Sequence, residues 1–153
     1  LHLEGLAGKD LEDITVTDFV VAAANGNPSM RVAQYTTAHD LLQSYHYMFM
    51  GGDVSQWPVQ ARASLVHIRA RANNFRYYLA NGPVHCITPY DIAYDRATNG
   101  VNFMSWLKDL SQDAVLPDDV VCEGECREDG ICDGCIDGSI ESVACGWCEG
   151  WEP

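Results

Sequence analysis

The residues most able to do chemistry in this chain are its cysteines, which crowd into the last 32 residues. Their spacing there is C-x3-C-x5-C-x2-C-x9-C-x2-C, and the same segment has almost no aliphatic run that could form a core. Segments of this kind are held together by disulfides or by a metal ion. We therefore expect disulfide bonds among Cys122, Cys126, Cys132, Cys135, Cys145 and Cys148.

Zinc is the alternative to disulfides. Two CxxC pairs, Cys132 with Cys135 and Cys145 with Cys148, would each present two thiolates to a tetrahedral ion. Against this, two cysteines would be left over, and the segment contains no histidine. A redox-active dithiol is a third interpretation, but neither CxxC pair is followed by the helix that such motifs require. Otherwise the sequence predicts no cofactor.

The run from Cys126 through the CxxC pair at Cys132 to Cys145-Gly146-Trp147-Cys148 resembles the front half of the plexin–semaphorin–integrin cysteine module. That resemblance covers residues 126–148, and Cys122 has no counterpart in it. It implies a buried Trp147 and a disulfide-bonded, extracellular or lumenal spacer that serves protein assembly rather than catalysis.

Cys86 is the seventh cysteine and lies apart from the others, directly after His85. An odd count leaves either one free thiol or one bridge to another chain. The sequence favours a buried free thiol, while a bridge to the C-terminal segment or to a partner stays open. We expect no Cys–His nucleophile, because neighbouring residues of an extended segment point to opposite sides.

Arginines recur every seven residues at Arg62, Arg69 and Arg76 in a stretch that we expect to be helical. Such a stripe is either a solvated helix edge or a docking site for carboxylates, which the planar guanidinium binds through two hydrogen bonds. Acidic groups for it could come from this chain's own C-terminal segment or from a neighbouring subunit.

The charge of the chain narrows the class of partner. The formal net charge is −13, and residues 117–153 carry eleven acids and one base, a net charge of −10. This acidity disfavours nucleic acid and anionic lipid surfaces, and no apolar stretch is long enough for membrane insertion. Other protein chains, in homo- or hetero-oligomers, are the partners we expect.

Apolar periodicity, prolines and glycines predict helices at about 17–24, 28–50, 58–80, 88–99 and 101–112. The segment at 17–24 fits either a short helix capped by Thr17 or a strand, and we favour the helix. The expected fold class is therefore mainly α. Residues 1–116 would form a small helical bundle, and residues 117–153 an acidic, disulfide-rich, loop-dominated appendage.

No motif for catalysis stands out in the sequence, so we expect a non-enzymatic structural or interaction subunit. Its disulfides indicate a secreted, extracellular or organelle-lumen protein. A chain that begins at Leu1 suggests either a processed product or a fragment.

Overall fold

The chain folds as an α/β protein around a three-stranded parallel sheet. A computed structural model describes residues 4–112 and 115–126. The helices are α1 (Val16–Gly26), α2 (Leu41–Phe49), α3 (Trp57–Arg71), α4 (Ile92–Asp95) and α5 (Phe103–Gln112). The strands are β1 (Val32–Thr37), β2 (Phe75–Ala80), β3 (Ala97–Thr98), β4 (Val101–Asn102) and β5 (Val120–Val121). Short 3-10 turns lie at Glu4–Leu6, Leu11–Asp13 and Val54–Gln56.

The sheet has the strand order β1-β2-β5, and both pairings are parallel. Strands β1 and β2 are in register along their whole length, from Val32 opposite Phe75 to Thr37 opposite Ala80. The crossover between them carries α2 and α3, as a parallel pairing requires. Strands β3 and β4 form a separate small hairpin that turns at Asn99 and Gly100, both with positive φ.

Strand β2 is the centre of the structure because both of its faces are covered. Phe75, Tyr77 and Leu79 point into a core shared with α1 and α3, where Leu65 and Ile68 are buried. Tyr78 and Ala80 point into a second core, which α5 completes with Phe103, Trp106 and Leu110. The alternation of β2 between two cores therefore makes the protein a three-layer structure.

The expectation of a mainly α helical bundle is wrong, because two of the predicted helices contain strands. The predicted helix at 28–50 contains β1 and α2, and the one at 58–80 contains α3 and β2. Both strands are rich in β-branched and aromatic residues, which favour extended backbone. A strand buried on both faces also lacks the alternation of polar and apolar residues that usually identifies a strand.

Two of the three other predicted helices are confirmed. Those at 17–24 and 101–112 are confirmed as α1 and α5, whereas only Ile92–Asp95 is helical in the predicted helix at 88–99. The cap of α1 is Thr15 rather than Thr17, and it forms a reciprocal capping box with Asp18. In the described part of the chain, no helix combines the length and apolar character needed to cross a bilayer.

Burial of two tyrosines in β2 makes the fold sensitive to alkaline pH. Burial raises the pKa of Tyr78 and of Tyr77 above the ordinary value of 10.0. The folded state thus favours the protonated phenols, so their contribution is complete below pH 10 and is lost as pH rises further. We expect the free energy of unfolding, measured with urea, to fall between pH 8 and pH 11.

The variant Tyr78→Phe should show a smaller fall over this pH interval, although it also loses the hydrogen bond from Tyr78 Oη to the Val101 carbonyl (2.6 Å). Tyr94→Phe is the matched control, because Tyr94 is exposed and lies outside both cores, and it should leave the fall unchanged. An equal pH dependence in wild type and Tyr78→Phe would contradict the assignment.

Candidate functional site

Six chemically active residues among those described, His39, Asp40, His85, Cys86, Cys122 and Cys126, lie at one edge of the sheet. Parallel strands β1, β2 and β5 all end at this edge, where α/β proteins commonly bind ligands. Three loops follow the strand ends there: residues 38–40 after β1, residues 81–86 after β2 and residues 122–126 after β5. They contribute two histidines, a buried carboxylate, a free thiol and a disulfide.

A carboxylate–imidazole pair joins two of these loops. Asp40 is 1% exposed and caps α2, accepting hydrogen bonds from Gln43 N (2.9 Å) and Gln43 Nε2 (2.9 Å). His85 Nδ1 donates to Asp40 Oδ2 over 2.8 Å. In the neutral imidazole, this bond makes Nε2 the acceptor nitrogen. The pair fixes the orientation of His85 and ties the loop after β2 to the start of α2.

Cys86 follows His85 with an exposed side chain, whereas the sequence favoured a buried thiol. It forms no disulfide with another described residue. Its φ of 52° is in the left-handed region, so the backbone here is not extended as the sequence argument assumed.

Cys122 and Cys126 form a disulfide, and both residues are buried. Gly124 and Cys126 adopt positive φ, which closes the tight loop between the two sulfurs. The loop is also bound to β2 and its end, since Cys122 N donates to the Leu79 carbonyl and Gly82 N donates to the Cys126 carbonyl, each over 2.9 Å. The disulfide therefore holds a compact loop against the end of the central strand.

The three predicted arginines all contact the segment from Pro117 to Cys126, but Arg76 lies on β2 and not on the helix. Arg69 Nε donates to Asp119 Oδ2 over 3.0 Å, and Arg76 Nε donates to the Pro117 carbonyl over 2.7 Å. Arg62 Nη2 lies 3.2 Å from the Cys122 carbonyl oxygen and 3.1 Å from Cys126 Sγ.

A groove of about 630 Å³ lies beside the disulfide. One wall is α3, and the other is made by the loops after β1 and β5. His39 forms part of the second wall, where its Nε2 donates to the Glu125 carbonyl over 2.8 Å. The lining residues are Ala38, His39, Ser55, Pro58, Val59, Arg62, Ala63, Val66, Gly124, Glu125 and Cys126. The groove is thus mainly apolar, with the Arg62 guanidinium at its wall.

The remaining predicted site residues lie outside the described residues. They are Trp147 and the four proposed zinc ligands, Cys132, Cys135, Cys145 and Cys148. Within 4–112 and 115–126, no group of three His, Cys, Asp or Glu side chains could hold a metal ion. The zinc alternative and the resemblance to the plexin–semaphorin–integrin module therefore stay predictions.

Asp40 was not among the predicted site residues, although it is the most deeply buried acid of this site. An aspartate directly before a helix start is a recognisable cap. That signal was hidden because the predicted helix ran from 28 to 50 and placed Asp40 in its interior.

Removing the disulfide should destabilise the fold measurably. For the double variant Cys122→Ala/Cys126→Ala we expect the free energy of unfolding to fall by about 2 kcal/mol, the chain-entropy contribution of so short a loop. Urea denaturation followed by circular dichroism would measure it. Cys86→Ala is the matched control, since its side chain is exposed, and it should change stability by less than about 0.5 kcal/mol. Equal stability of the double variant and the wild type would contradict a structural role for the bridge.

In comparisons with known proteins, no family model, no curated protein and no solved structure matches this chain.

Proposed function

We propose that the protein is a non-enzymatic structural or protein-interaction subunit of an extracellular or lumenal assembly, and that it binds a second copy of itself. The contact surface is an apolar face on α2 and the turn that follows it. This surface, the α2 face, consists of Tyr45, Met48, Phe49, Met50 and Val54.

The proposal rests on the exposure of large apolar residues of α2. Of its nine residues only Ser44 is fully buried, while Phe49 is 79% exposed and the following Met50 is 78% exposed. Tyr45, Met48 and Phe49 are spaced i, i+3 and i+4, so they share one side of the helix. An ordinary surface helix buries its apolar side. Contiguous exposed apolar residues of this kind mark interaction sites.

The composition of the α2 face is that of an interface centre. Tyrosine, phenylalanine and methionine are enriched in the buried centres of protein interfaces, whereas aspartate, glutamate and lysine are depleted there. The α2 face has none of these three charged types. A contact that uses the same patch on both subunits would close as a two-fold dimer.

Charge favours a second copy as the occupant. Residues 42–66 contain one acid, Asp53, and one base, Arg62, in a chain whose net charge is −13. Two such chains repel each other over most of their surface, and this neutral segment is where they can approach at the lowest electrostatic cost. Added salt screens the repulsion.

The Cys122–Cys126 bridge supports an oxidising compartment, because disulfides persist mainly in secreted, extracellular and lumenal proteins. The resemblance of the C-terminal segment to an assembly module points the same way.

Sedimentation velocity tests the proposed assembly. The wild type should sediment as a dimer of about twice 16.9 kDa at micromolar concentration. The dissociation constant of the dimer should fall as salt increases, since screening weakens the repulsion between the two acidic chains. The variant Phe49→Glu/Met50→Glu should be monomeric, because it places charges at the centre of the contact.

Leu11→Glu is the matched control, because Leu11 is 86% exposed and lies outside the α2 face. It should remain dimeric. A wild type that is monomeric at every concentration and salt level would overturn the proposal, as would a dimer that survives Phe49→Glu/Met50→Glu.

A further inference from the structure

We infer that the groove beside the Cys122–Cys126 disulfide binds a small amphipathic monocarboxylate, whose carboxylate pairs with Arg62 and whose apolar chain lies along α3. This binding site is separate from the α2 face and does not depend on dimer formation.

Among the described residues, Arg62 contacts only uncharged groups. Its Nη2 donates to the Cys122 carbonyl oxygen and lies beside Cys126 Sγ. The ion pairs among the described residues are Lys9–Asp18, Arg69–Asp119 and His85–Asp40, so none of them includes Arg62. A partly buried charge that no described carboxylate balances is costly, and a ligand carboxylate would relieve that cost.

The charge of Arg62 acts on the pKa of Tyr77 in the neighbouring core. Burial raises the pKa of Tyr77, Asp119 raises it further, and Arg62 and Arg69 oppose both effects. Arg69 has Asp119 as a counter-ion, whereas Arg62 has no such carboxylate among the described residues. Of these two helix cations, Arg62 is therefore the one suited to an external anion.

The apolar part of the groove lies along the same helix. Pro58, Val59, Ala63 and Val66 line one wall, and positions 58 to 66 extend over about 12 Å of helix axis. Val59 and Val66 are 60% and 52% exposed, so an alkyl chain laid along this wall would remove apolar surface from water. The length suits an alkyl chain of medium length.

The surrounding charge restricts the ligand to a single negative charge. Glu125 also lines the groove, with an exposed side chain, and the whole chain is strongly acidic. Both disfavour polyanions such as nucleic acids and phosphorylated ligands. A monocarboxylate places its one charge at Arg62 and leaves its apolar part against the valines.

Isothermal titration calorimetry with decanoate, below its micelle concentration, tests this inference on the full chain. Decanoate should bind, and Arg62→Gln should weaken its affinity by about tenfold or more, as expected for the loss of a charged hydrogen-bonding partner. Arg71→Gln is the matched control, because it removes the same charge from an exposed position on the same helix, outside the groove. It should bind decanoate like the wild type.

Two further ligands separate the charged and apolar contributions without any variant, which matters because Arg62→Gln also removes contacts to the disulfide loop. Acetate, which lacks the chain, and decan-1-ol, which lacks the charge, should both bind more weakly than decanoate. Added sodium chloride should weaken the binding of decanoate and not that of decan-1-ol.

Three outcomes would overturn the inference: no binding of decanoate, decan-1-ol binding as tightly as decanoate, or a well-folded Arg62→Gln that binds decanoate like the wild type. Repeating the titration with monomeric Phe49→Glu/Met50→Glu keeps the two proposals apart. Decanoate binding that persists in this variant supports a site independent of the α2 face, and binding that disappears with the dimer overturns that independence.

Discussion

The structure depends on how the edge strand β5 is held against β2. Its pairing covers only two residues, Val120 and Val121, which is too few backbone hydrogen bonds to secure a strand by themselves. Arg69 and Arg76 hold the chain that enters β5, and the Cys122–Cys126 disulfide and Arg62 hold the chain that leaves it. These side-chain contacts hold β5 in place of the backbone hydrogen bonds that a longer strand pairing would provide. They also place the loop of residues 122–126 where it forms one wall of the groove.

A second polar anchor explains why α2 exposes an apolar side. The start of α2 is held by Asp40, which caps the helix and binds His85 of the neighbouring loop. Because this partly buried pair attaches the helix to the sheet edge, α2 does not have to be attached through its apolar side chains. The sheet face is instead covered by α3, through Leu65 and Ile68. The α2 face is thereby left available for a partner.

Local signals in the sequence located the ends of helices and strands better than they predicted whether each element is a helix or a strand. The helix predicted at 58–80 ends where β2 ends, at Ala80. The amphipathic α5 was predictable because Phe103, Trp106 and Leu110 recur on one side over its length. Strand β2 was not, because it is covered on both faces and the cover comes from residues distant in the chain. Apolar residues on both sides of a short strand can also be fitted to a helical period.

The candidate site was predictable in its residue types and not in its arrangement. The arginines and cysteines were identifiable by their spacing alone, and Arg69 forms an ion pair with Asp119 of the C-terminal segment. The pairing of Arg62 with the disulfide loop requires β5 to lie beside β2, which no local pattern in the sequence encodes. The importance of Asp40 likewise emerges only when the helix start is placed correctly.

The methyl NMR signals of the methionines report whether the α2 face contacts a second copy. Met48 and Met50 belong to the α2 face, and Met30, 42% exposed, lies outside it and serves as an internal reference. On dilution from the dimer to the monomer, we expect the methyl signals of Met48 and Met50 to shift while that of Met30 stays in place. Signals of Met48 and Met50 that do not change with concentration would contradict the proposed contact.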